Sequence, residues 1–171
     1  FGQTIAVTAM QMAAGISAAV NGGNLMQPYI IKGIYTPEGE TVLENKPMVV
    51  RRVISEETSA LVRELLVGVV EEGSGRNSRI PGYSIVGKTG TSQKYENGRI
   101  APGKNVASFV AFFPADDPQY LVYITVDEPR VGTVYGSTCA APYVRDVVED
   151  MLKYYAIPPK YEDGVTEANI N

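Results

Sequence analysis

Histidine is absent from the 171 residues, and cysteine occurs once, as Cys139. Without histidine, no Ser-His-Asp or Cys-His relay and no imidazole-based metal centre can be assembled from this chain. A single cysteine excludes an internal disulfide and any CxxC zinc or redox pair. Positive charge is in short supply: 15 Lys+Arg against 19 Asp+Glu leave a net charge of −4, which argues against nucleic acid or an anionic lipid surface as the main partner. No apolar run is long enough for a membrane span, and no internal repeat or low-complexity tract occurs. With 44% apolar and 20% charged residues, the chain can still bury an ordinary globular core. Phe1 is not a methionine, and the helical signal starts almost at once. A piece of a longer polypeptide is therefore expected, with any secretion or anchoring signal lying upstream.

The apolar pattern predicts a helix over residues 4–20, capped by Thr4 or Thr8, stopped at Asn21-Gly22-Gly23, and deeply buried because alanines allow close approach. An extended run over residues 29–35, a turn at Pro37-Glu38-Gly39-Glu40 and a returning strand over 41–43 follow, with a further extended stretch at 49–54. Ser55 before Glu56 and Glu57 marks a helix start. Leu61, Val62, Leu65, Leu66, Val69 and Val70 form its core stripe, so Leu65→Ala is expected to cost about 2–5 kcal/mol of folding free energy in the parent protein. Residues 73–82 read as a loop, then 83–93, 106–113 and 120–126 as three strands. The middle strand is apolar on both faces (Val110 and Phe112, Phe109 and Phe113), which calls for cover on both sides. Pro142 opens a last helix carrying Val144, Val147, Val148, Met151, Leu152 and Tyr155 at helical spacing. The fold class is α+β, an antiparallel β-sheet flanked by helices. Residues 1–157 form the folded portion, and 158–171 an acidic tail or linker.

The chemistry is concentrated in Lys88-Thr89-Gly90-Thr91, at a strand that turns polar. An ammonium, hydroxyls and backbone N–H groups on an accessible strand suit a carboxylate-bearing extended peptide, which could add to the sheet edge. Gly90 removes a side chain where a backbone or ligand approaches closely. Taken alone, the tripeptide could equally be a hairpin end with a solvated lysine.

Several stretches in order remove that ambiguity. Residues 1–23, the Lys88-Thr89-Gly90-Thr91 motif, the strand 107–115 and the Gly136-to-Pro142 segment together resemble the C-terminal part of the transpeptidase domain of penicillin-binding proteins, most closely the monofunctional class B group. The resemblance spans about residues 1–157. It implies a serine acyltransferase outside the cytoplasmic membrane that cross-links peptidoglycan stem peptides ending in D-Ala-D-Ala and is trapped by β-lactams. It implies no cofactor, and membrane attachment only through an anchor outside this chain. Carried over, Lys88 would supply positive potential to the substrate carboxylate and to the proton network at the nucleophile. Thr89 and Thr91 would offer hydroxyls to that carboxylate, the Thr91 N–H would be half of the oxyanion hole, and Gly90 would keep the strand face open.

One departure matters. None of the nine serines begins Ser-x-x-Lys or Ser-x-Asn, the family's first and second motifs. Tyr95-Glu96-Asn97 spells a variant of the second but follows Lys88 and lies in a turn, so it is coincidental. The nucleophile is expected upstream, in the other half of the same domain, and the chain alone is expected to be inactive. Its cut surface is expected to expose apolar area on the 106–113 strand or the first helix, favouring an oligomer, a swapped assembly or a second chain. A serine β-lactamase or β-lactam sensor, and a non-catalytic peptide-binding scaffold, are the competing functions. Arg76 and Arg79 read as a solvated basic loop and Arg99 and Lys104 as a Gly/Pro-containing loop. Tyr154 and Tyr155 finish a helix, Cys139 packs in a turn, and Glu71 and Glu72 diverge rather than form an acid/base pair.

Overall fold

The computed structural model describes residues 5–130 and 132–160. Two compact units emerge, Thr8–Ala60 and a larger one made mainly of the chain from Leu61 onward.

In the smaller unit, helix α1 (Ala9–Val20) starts later than the periodicity predicts, because Thr8 is its cap. The Thr8 hydroxyl accepts the Gln11 N–H at 3.2 Å, and the Gln11 side chain accepts the Thr8 N–H at 2.9 Å. Only Ala18 and Val20 are buried, and Met10 is 54% exposed. Deep burial of this helix is not realised, since β1 (Asn24–Met26) is what it packs on within its unit and short alanines cover little area. The extended run narrows to β2 (Gly33–Tyr35), which pairs with β3 (Thr41–Glu44) around a turn where Gly39 has φ +89°. Residues 30–32 form no strand. The Asn45 amide group takes the Ile31 carbonyl at 2.7 Å and the Asn45 N–H takes that of Lys32 at 2.8 Å, so these groups need no ladder. β4 (Val49–Arg52) pairs antiparallel with β1. Gly23 has φ +89°, and a Cβ there would sit 2.0 Å from the Ile54 carbonyl oxygen, so no other residue fits.

Helix α2 (Glu56–Glu71) begins as its sequence predicts, with the Ser55 hydroxyl accepting the Thr58 N–H at 3.2 Å. The Glu57 carboxyl is held below the usual range by its own backbone N–H and then by the Ser55 hydroxyl. Buried Ser59 donates to the Ala19 carbonyl at 2.9 Å and accepts the Gly22 N–H at 3.0 Å, tying the start of α2 to the end of α1. The predicted core stripe of α2 is mostly uncovered: Val70 is buried, but Leu61 is 54% and Leu65 67% exposed. The helical spacing is right, yet among the described residues Ser59 is the buried side chain of the first turns, while Leu61 and Leu65 stay exposed. Within the described residues a side chain this exposed carries no large penalty for Leu65→Ala, so the cost expected in the parent protein depends on a surface outside this chain.

In the larger unit, a 3₁₀ turn (Arg76–Ser78) interrupts the expected loop. Three antiparallel strands follow in the order β5 (Val86–Glu96), β6 (Arg99–Phe113) and β7 (Tyr120–Asp127). β5 and β6 are longer than the composition suggests and turn tightly at Asn97-Gly98, both at positive φ. Arg99 and Lys104, expected in a loop, are on β6, because Pro102 and Gly103 fall in a bulge where register shifts between Gln93 and Tyr95. Phe109, Ala111 and Phe113 pack with Val70, Ile80, Ile85 and the inner face of α4 (Ala141–Tyr154), namely Val144, Val148 and Leu152. A short helix α3 (Gly136–Cys139) precedes α4. On the other face of β6, Val110 and Phe112 are buried too. The apolar exposure expected on this strand is therefore absent. It lies on α1 and the β2–β3 region instead, with Ile30 93% and Val42 64% exposed.

Past α4, Tyr155 stacks on Tyr120, which stacks on Phe113, while Tyr154 is 83% exposed. Pro158–Lys160, read from sequence as the start of a tail, is docked. The Tyr83 hydroxyl donates to the Ile157 carbonyl at 3.1 Å, the Lys160 N–H to the Gly82 carbonyl at 2.8 Å, and the Lys160 ammonium meets Asp116 at 3.2 Å. The rest of the expected tail, residues 161–171, lies outside the described residues. Asp116 is held below the ordinary aspartate range, chiefly by its own backbone N–H and next by Lys160. A depressed carboxyl stabilises above its unfolded value and loses that contribution as pH falls through its folded one. Amide exchange at Lys160 is thus expected to be protected at neutral pH and to accelerate from about pH 4 downward, beyond the intrinsic pH dependence of exchange. Exchange that follows only the intrinsic dependence would mean that Asp116 does not hold this segment.

Candidate active site

The polar motif sits in the middle of β5, and β5 is the outer strand of its sheet among the described residues. Register pairs Lys88 with Val110, Thr89 with Phe109, Gly90 with Ser108 and Thr91 with Ala107. Directly opposed residues share a face, so Thr89 and Thr91 lie on the α4 side with Phe109, and Lys88 and Gly90 on the opposite side.

Lys88 is exposed, and its ammonium donates to the Thr89 carbonyl at 3.0 Å. No carboxylate among the described residues pairs with it. The Thr91 hydroxyl accepts the Gly136 N–H at 3.2 Å, and the Thr89 hydroxyl lies 3.2 Å from that of Ser74. α3 can come this close because its first residue is glycine: a Cβ on Gly136 would be 2.1 Å from the Ser108 carbonyl oxygen and 2.6 Å from that of Gly90. Gly90 has a similar reason, since a Cβ there would lie 2.4 Å from the Ser108 hydroxyl oxygen. The close approach that its sequence position suggested is thus made, within this chain, by a neighbouring strand.

Sequence reasoning singled out the four motif residues but not Ser74, Ser108 and the Gly136 amide, which the structure places as their immediate neighbours. Gly136 carried a signal, because its segment is one of the matched stretches. Ser74 carried none, lying between two glycines in an apparent loop. Several other polar side chains are engaged with partners of their own. Arg79 pairs with Glu71 at 3.1 Å, and Lys104 with Glu96 at the tip of the β5–β6 hairpin. Lys94 bridges Asp127 at 3.0 Å and Glu128 at 2.8 Å. Those contacts raise Lys94, through Glu128 first, and lower Glu128. Cys139 donates its thiol to the Thr133 carbonyl.

Chemically, the motif offers a cation, two hydroxyls and an unpaired strand margin to an anionic, extended ligand. A family model described as the penicillin binding protein transpeptidase domain matches residues 1–149. The chain belongs to the penicillin-binding protein transpeptidase family. It is 44% identical over 161 residues to Stage V sporulation protein D of Bacillus subtilis, covering 94% of this chain and 25% of that protein. It is 35% identical to a peptidoglycan D,D-transpeptidase FtsI homolog of Mesostigma viride, covering 93% of this chain and 29% of that one. Among solved structures, penicillin binding protein 3 of Mycobacterium tuberculosis complexed with ampicillin superimposes with a TM-score of 0.82 at 28% identity, over 96% of this chain and 38% of the other. The chain thus spans about a quarter of the length of these curated relatives. Within this penicillin-binding protein segment, the α+β fold with its antiparallel sheet agrees with the sequence reading.

Proposed function

We propose that this chain is the C-terminal portion of the transpeptidase domain of a class B penicillin-binding protein. In this reading it forms the wall of a peptidoglycan D,D-transpeptidase site that receives the carboxylate of a D-Ala-D-Ala stem peptide. Lys88 supplies positive potential, Thr89 and Thr91 present hydroxyls to that carboxylate, and the Thr91 N–H serves as one oxyanion donor. Gly90 keeps the strand face open for the ligand. The nucleophilic serine and its lysine come from outside these 171 residues, which contain neither Ser-x-x-Lys nor Ser-x-Asn. The protein acts on the outer side of the cytoplasmic membrane, and β-lactams acylate the same serine.

The observation that supports this most is β5 at the margin of its sheet among the described residues, with Lys88 exposed and free of a carboxylate partner on one face and the two threonines on the other. The test is covalent labelling of the full-length protein by a fluorescent penicillin, in competition with a peptide ending in D-Ala-D-Ala. Labelling that the peptide slows is the expected result. Absence of labelling overturns the enzymatic reading, and rapid turnover of the penicillin replaces it with a β-lactamase.

A further inference from the structure

The segment between α2 and β5 is not a free surface loop. The Gly75 N–H returns to the Val69 carbonyl at 2.8 Å, and buried Ser78 donates to the Gly75 carbonyl at 2.8 Å. Arg79 is paired with Glu71, whose side chain is only 15% exposed. The Asn77 amide donates to the Ser137 carbonyl at 2.7 Å, fastening the segment to α3. From this anchored segment Ser74 places its hydroxyl 3.2 Å from that of Thr89.

We infer that Ser74 is a positioning residue for the anion cradle, acting through the Thr89 hydroxyl; the inference rests on the function proposed above. Two hydroxyls in contact can share one proton in either sense, but a bound carboxylate permits only one. The carboxylate accepts and cannot donate, so Thr89 turns its proton to the ligand and takes the Ser74 proton on its own oxygen. A hydroxyl that already accepts one hydrogen bond donates the next more strongly. Ser74 thereby orders the chain Ser74 O–H to Thr89 O–H to carboxylate. Without it, the Thr89 hydroxyl loses its fixed rotor and its polarisation.

The experiment uses the full-length protein and compares acylation by a penam carboxylate with acylation by its methyl ester. In the native protein the acid reacts faster than the ester. Ser74→Ala is expected to lower the acid rate about five- to tenfold and to leave the ester rate nearly unchanged, so that the acid-to-ester ratio falls. Ser74→Thr restores the ratio. In a Thr89→Val background, Ser74→Ala is expected to add nothing, because its effect passes through that hydroxyl. A general structural defect lowers both rates together and leaves the ratio fixed. A native acid preference that survives Ser74→Ala, or an equal loss for acid and ester, overturns the role of Ser74 while leaving the proposed function standing. A native protein that reacts with neither, or with both equally, removes the carboxylate cradle itself and the inference with it.

Discussion

Lys88→Ala in the full-length protein is expected to lower the second-order rate of acylation by a fluorescent penicillin about 30- to 1,000-fold, the range seen when one preorganised partner of a developing or bound anion is removed. Thermal stability should be nearly unchanged. The side chain is exposed, and among the described residues it gives up its contact with the Thr89 carbonyl. Lys88→Arg keeps the charge but replaces a compact ammonium with a planar fork, and is expected to recover only part of the rate. The two measurements separate chemistry from folding: a variant that unfolds loses amplitude of labelling, and one that loses the cation loses rate. Undiminished labelling by Lys88→Ala would remove Lys88 from the site.

Phe109→Ala is expected to have the opposite profile, costing about 3–5 kcal/mol of stability. Phe109 is fully buried on β6 within the cluster formed with Val144 and Val148. Its ring also lies under the site strand, where a Cβ on Gly87 would come within 2.7 Å of it. Truncation therefore opens a cavity directly beneath β5. The measurement is the urea midpoint of the transpeptidase-domain transition, with an unchanged slope showing that stability alone has moved. A loss under 1 kcal/mol would mean that β5 collapses into the space and that the strand is not held from below.

The two variants bracket what the sequence made legible. The core of the larger unit was readable because α4 and β6 carry unambiguous periods: Val144, Val148 and Leu152 recur at helical spacing, and all are buried. The motif was readable because Lys88-Thr89-Gly90-Thr91 combines residue types that a buried strand avoids. The first two helices were misread in burial rather than in pattern. The stripe of α2 and the alanines of α1 have the right spacing, but a period reports which face is apolar and not whether this chain contains the surface that covers it. The β5–β6 hairpin was cut short because Pro102 and Gly103 signal a break, and a bulge can absorb both without ending the ladder. Ser74 and the Gly136 amide were invisible for a different reason. Their roles depend on segments 15 and 45 residues away in sequence, and no local pattern encodes such a meeting.

The open side of β5 has a cost in solution behaviour. A strand margin with no neighbouring strand among the described residues can welcome a peptide, and it is equally a template for a second copy of itself, the step from which edge-to-edge aggregates grow. Lys88 projects from that same strand with no carboxylate partner among the described residues, and two identical margins brought together would confront like charges. One lysine would then serve two ends, drawing in an anionic guest and turning away its own kind. Neutralising it sacrifices solubility along with chemistry.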